Sequence, residues 1–180
     1  MRQRAAVAEQ GFFLSAQNPD GSPGELMIRQ PAITKGYWRQ EDTTASVLEN
    51  GWYRSGDIAR CDEEGLYYIV DRAKDMIISG GFNIYPVDLE AVLLQHPDVE
   101  EAAVIGMPSE QWGETPVGFV TPAKGATLDT AAVLAATNAL LGKTQRLSAL
   151  YDIAEMPRSH IGKLLKTDLR DLAAEKQHAS

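Results

Sequence analysis

A chain of 180 residues, 44% hydrophobic and 23% charged, is long enough for one ordinary domain or two small ones and has the balance of a globular protein. Its net charge of −8 argues against a general nucleic-acid binder, and no run approaches the roughly 18 apolar residues of a membrane span. The single cysteine, Cys61, excludes an internal disulfide and any multi-cysteine metal site, so no metal-binding set is expected. The opening MRQRAAVAEQGFF lacks the apolar core of an export signal, and a reducing, cytoplasmic setting fits. Seven of the 17 Lys and Arg (Lys143, Arg146, Arg158, Lys163, Lys166, Arg170 and Lys176) fall in the last 40 residues, most simply as a solvated helix face.

Gly11 to Leu14 reads as a short strand, Asn18-Pro19-Asp20-Gly21 as a turn, and Gly24 to Arg29 alternates as a strand does. Glu41 to Leu48 reads as a short helix. Trp52 to Cys61 and Leu66 to Val70, separated by Asp62-Glu63-Glu64-Gly65, predict a hairpin whose acidic turn is solvated. Asp71-Arg72-Ala73-Lys74-Asp75 is then a dense charged joint, unsuited to a core because each buried ion needs a partner.

Beyond the joint the pattern alternates between strand and helix. Met76 to Ser79 and Asn83 to Tyr85 read as short strands around Gly80-Gly81, a pair that favours positive φ or close approach of another group. Pro86 is placed for a first helical residue, Asp88 and Glu90 suit the positive first turn, and Val87, Ala91 and Leu94 share one face. Val99 to Met107 and Glu114 to Thr121 read as strands. Leu128 to Leu141 reads as a helix ended by Gly142 in the left-handed region. Tyr151 to Ile153 is a short strand, Pro157 to Gly162 a loop, and a last helix is expected from about Lys163. The fold class is α+β: a β-rich tail over residues 1–70, a joint at 71–75, and a compact α+β unit over 76–180 with a three-stranded sheet flanked by helices.

Three features stand in order. Tyr53-Arg54-Ser55-Gly56-Asp57 offers a carboxylate that could accept two hydrogen bonds from a ribose diol, or simply cap a turn. The joint runs into GGFNIYP. Pro157-Arg158-Ser159-His160-Ile161-Gly162-Lys163 delivers a lysine at a loop tip, which by itself reads equally as a solvated surface residue. Each alone is weak, since a Gly-Lys pair without the preceding phosphate-loop pattern means little. Ser159-His160 is no hydrolase pair, because neighbours rarely face each other and no acid partner is evident.

Together, with GELMIRQPAITKGYW, GLYYIVDRAKDMIISGGFNIYPVDLE and HPDVEEAAVIGMP, these segments resemble the C-terminal part of the adenylate-forming enzymes: AMP-forming acyl-CoA synthetases, peptide-synthetase adenylation domains and luciferases. The resemblance runs from about Gly24 to Arg170. It implies adenylation of a carboxylic acid by ATP, rotation of the small domain, and displacement of AMP by a thiol, usually that of CoA. It implies Asp57 and Arg72 as nucleotide-binding residues, Lys74 as hinge, Gly80 and Gly81 beside the pantetheine channel, and Lys163 as the catalytic lysine. Trp112 resembles a packing position.

The family's phosphate loop, acyl pocket and most contacts to ATP and Mg2+ lie in a large N-terminal part that these residues do not include. The chain is therefore expected not to complete adenylation alone. The MIISGGFNIYP run leans toward fatty-acyl or aryl CoA ligases, and hence toward fatty acid metabolism. A peptide-synthetase adenylation tail remains an alternative, as does a non-catalytic module that docks on a partner or self-associates through Phe12, Phe13 and Tyr37-Trp38.

Overall fold

The computed structural model describes residues 3–4, 13–17, 22–64 and 66–178. The Asn18 to Gly21 turn and Phe12 lie outside them. The chain divides into two compact units, Met1–Lys74 and Asp75–Ser180.

Among the described residues, the first unit holds a six-stranded sheet. Its strands are β1 (Gln3–Arg4), β2 (Phe13–Gln17), β3 (Pro23–Arg29), β4 (Leu48–Glu49), β5 (Trp52–Cys61) and β6 (Leu66–Arg72), with helix α1 (Glu41–Val47) between β3 and β4. The order is β1-β6-β5-β3-β2, β4 also pairs with β5, and every pairing is antiparallel. The β5–β6 hairpin forms where alternation and turn signal place it. Its acidic turn is not simply solvated: the Asp62 carboxylate accepts the Glu64 and Leu66 amides at 3.0 and 2.9 Å, closing the turn as an Asx side chain can. Leu26 and Ala59 form a small core, with Ile28 and Tyr67 packed against it.

The second unit contains β7 (Ile77–Ser79), β8 (Phe82–Ile84), α2 (Pro86–Leu93), β9 (Val99–Ser109), β10 (Gly113–Pro122), α3 (Thr130–Leu140), β11 (Ala149–Asp152) and α4 (Lys166–His178). Its sheet has five strands rather than the expected three, because the short β7–β8 hairpin joins β10 through Gly113↔Ser79. β9 runs antiparallel to β10 over its whole length, and β11 lies parallel to β10 from Val117 to Val120. A sheet covered on both faces reads as a continuous apolar run rather than an alternating one, and Ala103 to Met107 is such a run, buried throughout. Val104 and Val120 face Leu89, Leu93, Val133 and Leu147 on one side, whereas Ala103, Ile105, Val117 and Phe119 face Met156, Leu169 and Ala173 on the other. Helices α2 and α3 thus cover one face and α4 the other.

One local expectation is sharpened and two are corrected. In α2, Pro86 is the first helical residue and Val87, Ala91 and Leu94 share one face, as read; that face is the exposed one, and Pro86, Leu89 and Leu93 are buried. The helix is apolar on several sides, so periodicity did not single out the inner one. Gly142 has φ −60° and ψ 153°, not a left-handed conformation. A different device takes the chain off α3: the Asn138 amide donates to the Leu147 carbonyl at 2.9 Å and accepts the Leu147 amide at 2.8 Å. Finally, α4 begins at Lys166 rather than near Lys163, because Arg158 and Leu164 form an antiparallel bridge that holds the intervening residues out of the helix.

Candidate functional site

In the first unit, β5 and β6 bring Asp57 and Arg72 directly opposite each other, and Arg72 Nε lies 2.8 Å from Asp57 Oδ1. Gly56 precedes Asp57 with φ +72°, where a side chain would be strained. Three contacts fix this kink: Glu25 Oε1 accepts the Gly56 amide at 3.3 Å, Ser55 Oγ accepts the Asp57 amide at 3.0 Å, and the Gly56 carbonyl accepts the Ala73 amide at 2.8 Å. Glu25 also holds Arg54, with Oε2 at 2.6 Å from Nη2, and this bond raises the Arg54 pKa further. The Asp57–Arg72 pair is partly open to solvent, Arg72 more than Asp57, so it contributes little to folding. Tyr53 stands near this pair. A hydrogen bond with Tyr37 raises its pKa first and burial second, so its phenol stays neutral. Lys74, the last residue of the unit, is exposed.

In the second unit, Gly80 and Gly81 are the two central residues of the β7–β8 turn, with φ +56° and +83° and Ser79 paired to Phe82. Positive φ at both positions defines a type I′ turn, which glycine adopts without strain. The strand-turn junction is braced by its neighbours: the Ile78 amide donates to Glu114 Oε2 at 2.8 Å and the Gly80 amide to the Trp112 carbonyl at 2.8 Å. A Cβ on Gly80 would stand 2.9 Å from the Trp112 ring, which is packed over it as the family position suggested. A Cβ on Gly81 would meet nothing within 4 Å, so the turn is open on that side.

Lys163 lies on a tight loop before α4. Ser159 organises it: its carbonyl accepts the Gly162 amide at 2.8 Å, its hydroxyl the Lys163 amide at 3.2 Å, and its own amide donates to the Lys163 carbonyl at 2.8 Å. Gly162 takes φ +78° to make the bend. The Lys163 side chain is exposed. Arg158 is exposed, as the basic cluster suggested, yet paired, and Lys166 is both paired and largely covered. Arg158 binds Glu101 and donates to the Gly162 carbonyl at 3.1 Å, and Lys166 Nζ lies 3.4 Å from Glu90 Oε1. Glu90, read as a first-turn acid, also accepts the Val104 amide at 2.9 Å.

The glycine turn and the lysine loop sit at opposite ends of the β9–β10 hairpin. The turn joins at Gly113↔Ser109, whereas Arg158 grips Glu101, paired with Thr121. At about 3.4 Å per residue, these ends are roughly 27 Å apart. The sequence reading did not find Glu25, Glu90, Glu101 or Glu114. A carboxylate at the edge of an apolar strand, as Glu101 is, was the available signal. Among the described residues no group of His, Cys, Asp or Glu is arranged to hold a metal ion, and no helix is long and apolar enough to cross a membrane.

Residues 88–163 match the AMP-binding enzyme C-terminal domain. The 2-succinylbenzoate–CoA ligase of Geobacillus kaustophilus is 44% identical over 159 residues, which are 85% of this chain and 32% of that protein. The long-chain-fatty-acid–CoA ligase of Escherichia coli O6:H1 is 43% identical over 159 residues, 88% of this chain and 28% of that one. Among solved structures, ATP-bound MatB from Rhodopseudomonas palustris matches with a TM-score of 0.82 at 34% identity, over 90% of this chain and 34% of that one. Amide bond synthetase McbA from Marinactinospora thermotolerans matches with a TM-score of 0.79 at 33% identity, over 90% and 35%. The chain thus spans about a third of the length of these relatives.

Proposed function

We propose, for a chain that belongs over residues 88–163 to the AMP-binding enzyme C-terminal domain family, that it works as the C-terminal part of an ATP-dependent, AMP-forming acyl-CoA ligase acting on a fatty-acyl or aryl carboxylic acid. The observation that carries this reading is the placement of two different loops at opposite ends of one sheet. Lys163 stands exposed at one end and the open Gly80–Gly81 turn at the other.

Each end suits one half of the reaction. In adenylation a carboxylate meets the α-phosphate of ATP, and a compact, mobile ammonium such as that of Lys163 stabilises charge on the phosphoryl oxygens. In thioester formation a thiol needs a clear path, which the bare backbone at Gly81 leaves open. Asp57 accepts the ribose hydroxyls while Arg72 orients its carboxylate and reaches toward the nucleotide. Lys74, at the division between the units, serves as the hinge on which the second unit exchanges its two ends. CoA is favoured over a carrier protein as thiol donor because the G. kaustophilus and E. coli relatives are CoA ligases by name. A single cysteine suits a reducing, cytoplasmic setting. These 180 residues alone are expected to give no ATP–pyrophosphate exchange. Magnesium accompanying ATP would be held by residues outside them.

The test is a chimera in which this chain replaces the equivalent part of the G. kaustophilus ligase. Lys163→Ala should lower ATP–pyrophosphate exchange about 100-fold or more while sparing thioester formation from supplied acyl-adenylate, and Gly81→Val should do the reverse. Equal loss in both half-reactions for both variants overturns the assignment.

A second reading, as an interaction module, is favoured by the exposure of Trp38 (82%) beside Tyr37. Sedimentation of the chain decides it: a strictly monomeric species rules out self-association.

A further inference from the structure

The loop that carries Lys163 has two kinds of support, and they do different things. The bonds from Ser159 to Gly162 and Lys163, together with Leu165 N–H to the Pro157 carbonyl at 2.9 Å, all lie within the loop. They set its shape but not its place. A side chain at Gly162 would meet nothing within 4 Å, so the tip stands free of the rest of the unit. Leu164, next to Lys163, packs against the core beneath α4 and anchors the base of the loop, whereas the tip itself is tied to the sheet by Arg158. One guanidinium nitrogen grips the Glu101 carboxylate on β9, and another donates to the Gly162 carbonyl at 3.1 Å. That carbonyl belongs to the peptide bond whose nitrogen is that of Lys163. Glu101 is itself set in the ladder, paired with Thr121, whose hydroxyl accepts the Glu101 amide at 3.1 Å. At the other end of the loop, Lys166 is held to Glu90.

We infer that Arg158 is a positioning residue for Lys163, acting through Glu101; this rests on the adenylation role assigned to Lys163 above. The planar guanidinium reaches two acceptors in different directions, one on the rigid strand and one on the lysine's own peptide, which a single ammonium does less well. Pairing with Glu101 also removes Arg158 as a competitor for the anionic substrate. With Lys166 paired to Glu90, Lys163 is left as the unpaired cation of the loop among the described residues. The Arg158–Glu101 pair is nearly half exposed and adds little to folding, so its effect falls on where the lysine sits rather than on whether the unit folds. Displacement of a reacting group by about 1 Å can cost on the order of 100-fold in rate.

Two measurements test this. In the 180-residue chain, Arg158→Ala and Glu101→Ala should each speed amide exchange at Gly162 and Lys163 about two- to tenfold, while the buried strand Val117 to Val120 exchanges as before. Unchanged exchange at the loop overturns the inference. In the chimera, Arg158→Ala should lower kcat for ATP–pyrophosphate exchange about 10- to 100-fold, leave the KM for ATP nearly unchanged and spare thioester formation from supplied adenylate. If Lys163→Ala abolishes exchange but Arg158→Ala does not lower it, the positioning role is wrong and the function stands. If Lys163→Ala itself has no effect, the function and with it the catalytic meaning of the clamp are both refuted.

Discussion

The two adjacent glycines of the β7–β8 turn should respond very differently to the same substitution. Both have positive φ, so alanine at either position brings backbone strain of about 1 kcal/mol, the cost of placing an L-residue in the left-handed region. At Gly81 nothing more is added, because a Cβ there has no neighbour within 4 Å. At Gly80 the Cβ would stand 2.9 Å from Trp112 Cε3, when carbon atoms pack best at about 3.5–4.0 Å. The indole must move by more than half an ångström or the turn must bend, and such overpacking adds about 1–2 kcal/mol. Gly80→Ala should therefore destabilise by about 2–3 kcal/mol and Gly81→Ala by about 1, measured by equilibrium urea unfolding followed by far-ultraviolet circular dichroism. A double-mutant cycle isolates the steric part. In a Trp112→Ala background the Gly80 cost should fall to that of Gly81, since the backbone bond from Gly80 to the residue 112 carbonyl survives the change. Equal costs at the two glycines in the parent, or an undiminished gap once the indole is removed, would refute the reasoning.

Asn138→Ala should destabilise the second unit by about 2–3 kcal/mol in the same assay, because it leaves both the amide and the carbonyl of Leu147 without their partner. Alkaline titration followed at the phenolate absorbance should show Tyr67 and Tyr53 ionising above the ordinary tyrosine value, Tyr67 held neutral first by burial and Tyr53 first by its hydrogen bond to Tyr37. A folded-state pKa above the unfolded value near 10 means that their stabilising contribution is fully present below about pH 10 and is lost as pH rises beyond it. Tyr67→Phe should remove part of the phenolate signal that develops above about pH 10, and an unchanged signal there would contradict the assignment.

Much of the molecule was legible because its determinants are local. The β5–β6 hairpin follows from alternation around Asp62-Glu63-Glu64-Gly65, Pro86 opens α2, and Gly80-Gly81 calls for a turn that only positive φ can make. The candidate site was legible through short motifs of fixed spacing, Asp57 after Gly56 and Lys163 after Gly162, which survive without knowledge of what surrounds them. Local signals failed where a competing contact came from far away. Asn138 reaching Leu147, rather than Gly142, takes the chain off α3, and the Arg158↔Leu164 bridge delays α4 by about one turn.

What the amino-acid order determined by itself, then, was most of the elements, their likeness to a family and the candidate residues that this likeness implies. Only the tertiary structure decided which cations are free to act. Arg54, Arg158 and Lys166 find their glutamates 29, 57 and 76 residues away, through strand register and helix packing that no window of sequence contains. Of Arg158, Lys163 and Lys166, three basic residues within nine positions of chain, two are paired with glutamates of the sheet and its covering helix, and Lys163 is left without an ion pair among the described residues. Charge pairing depends on distances of a few ångströms in space, and those are set only when the sheet has closed.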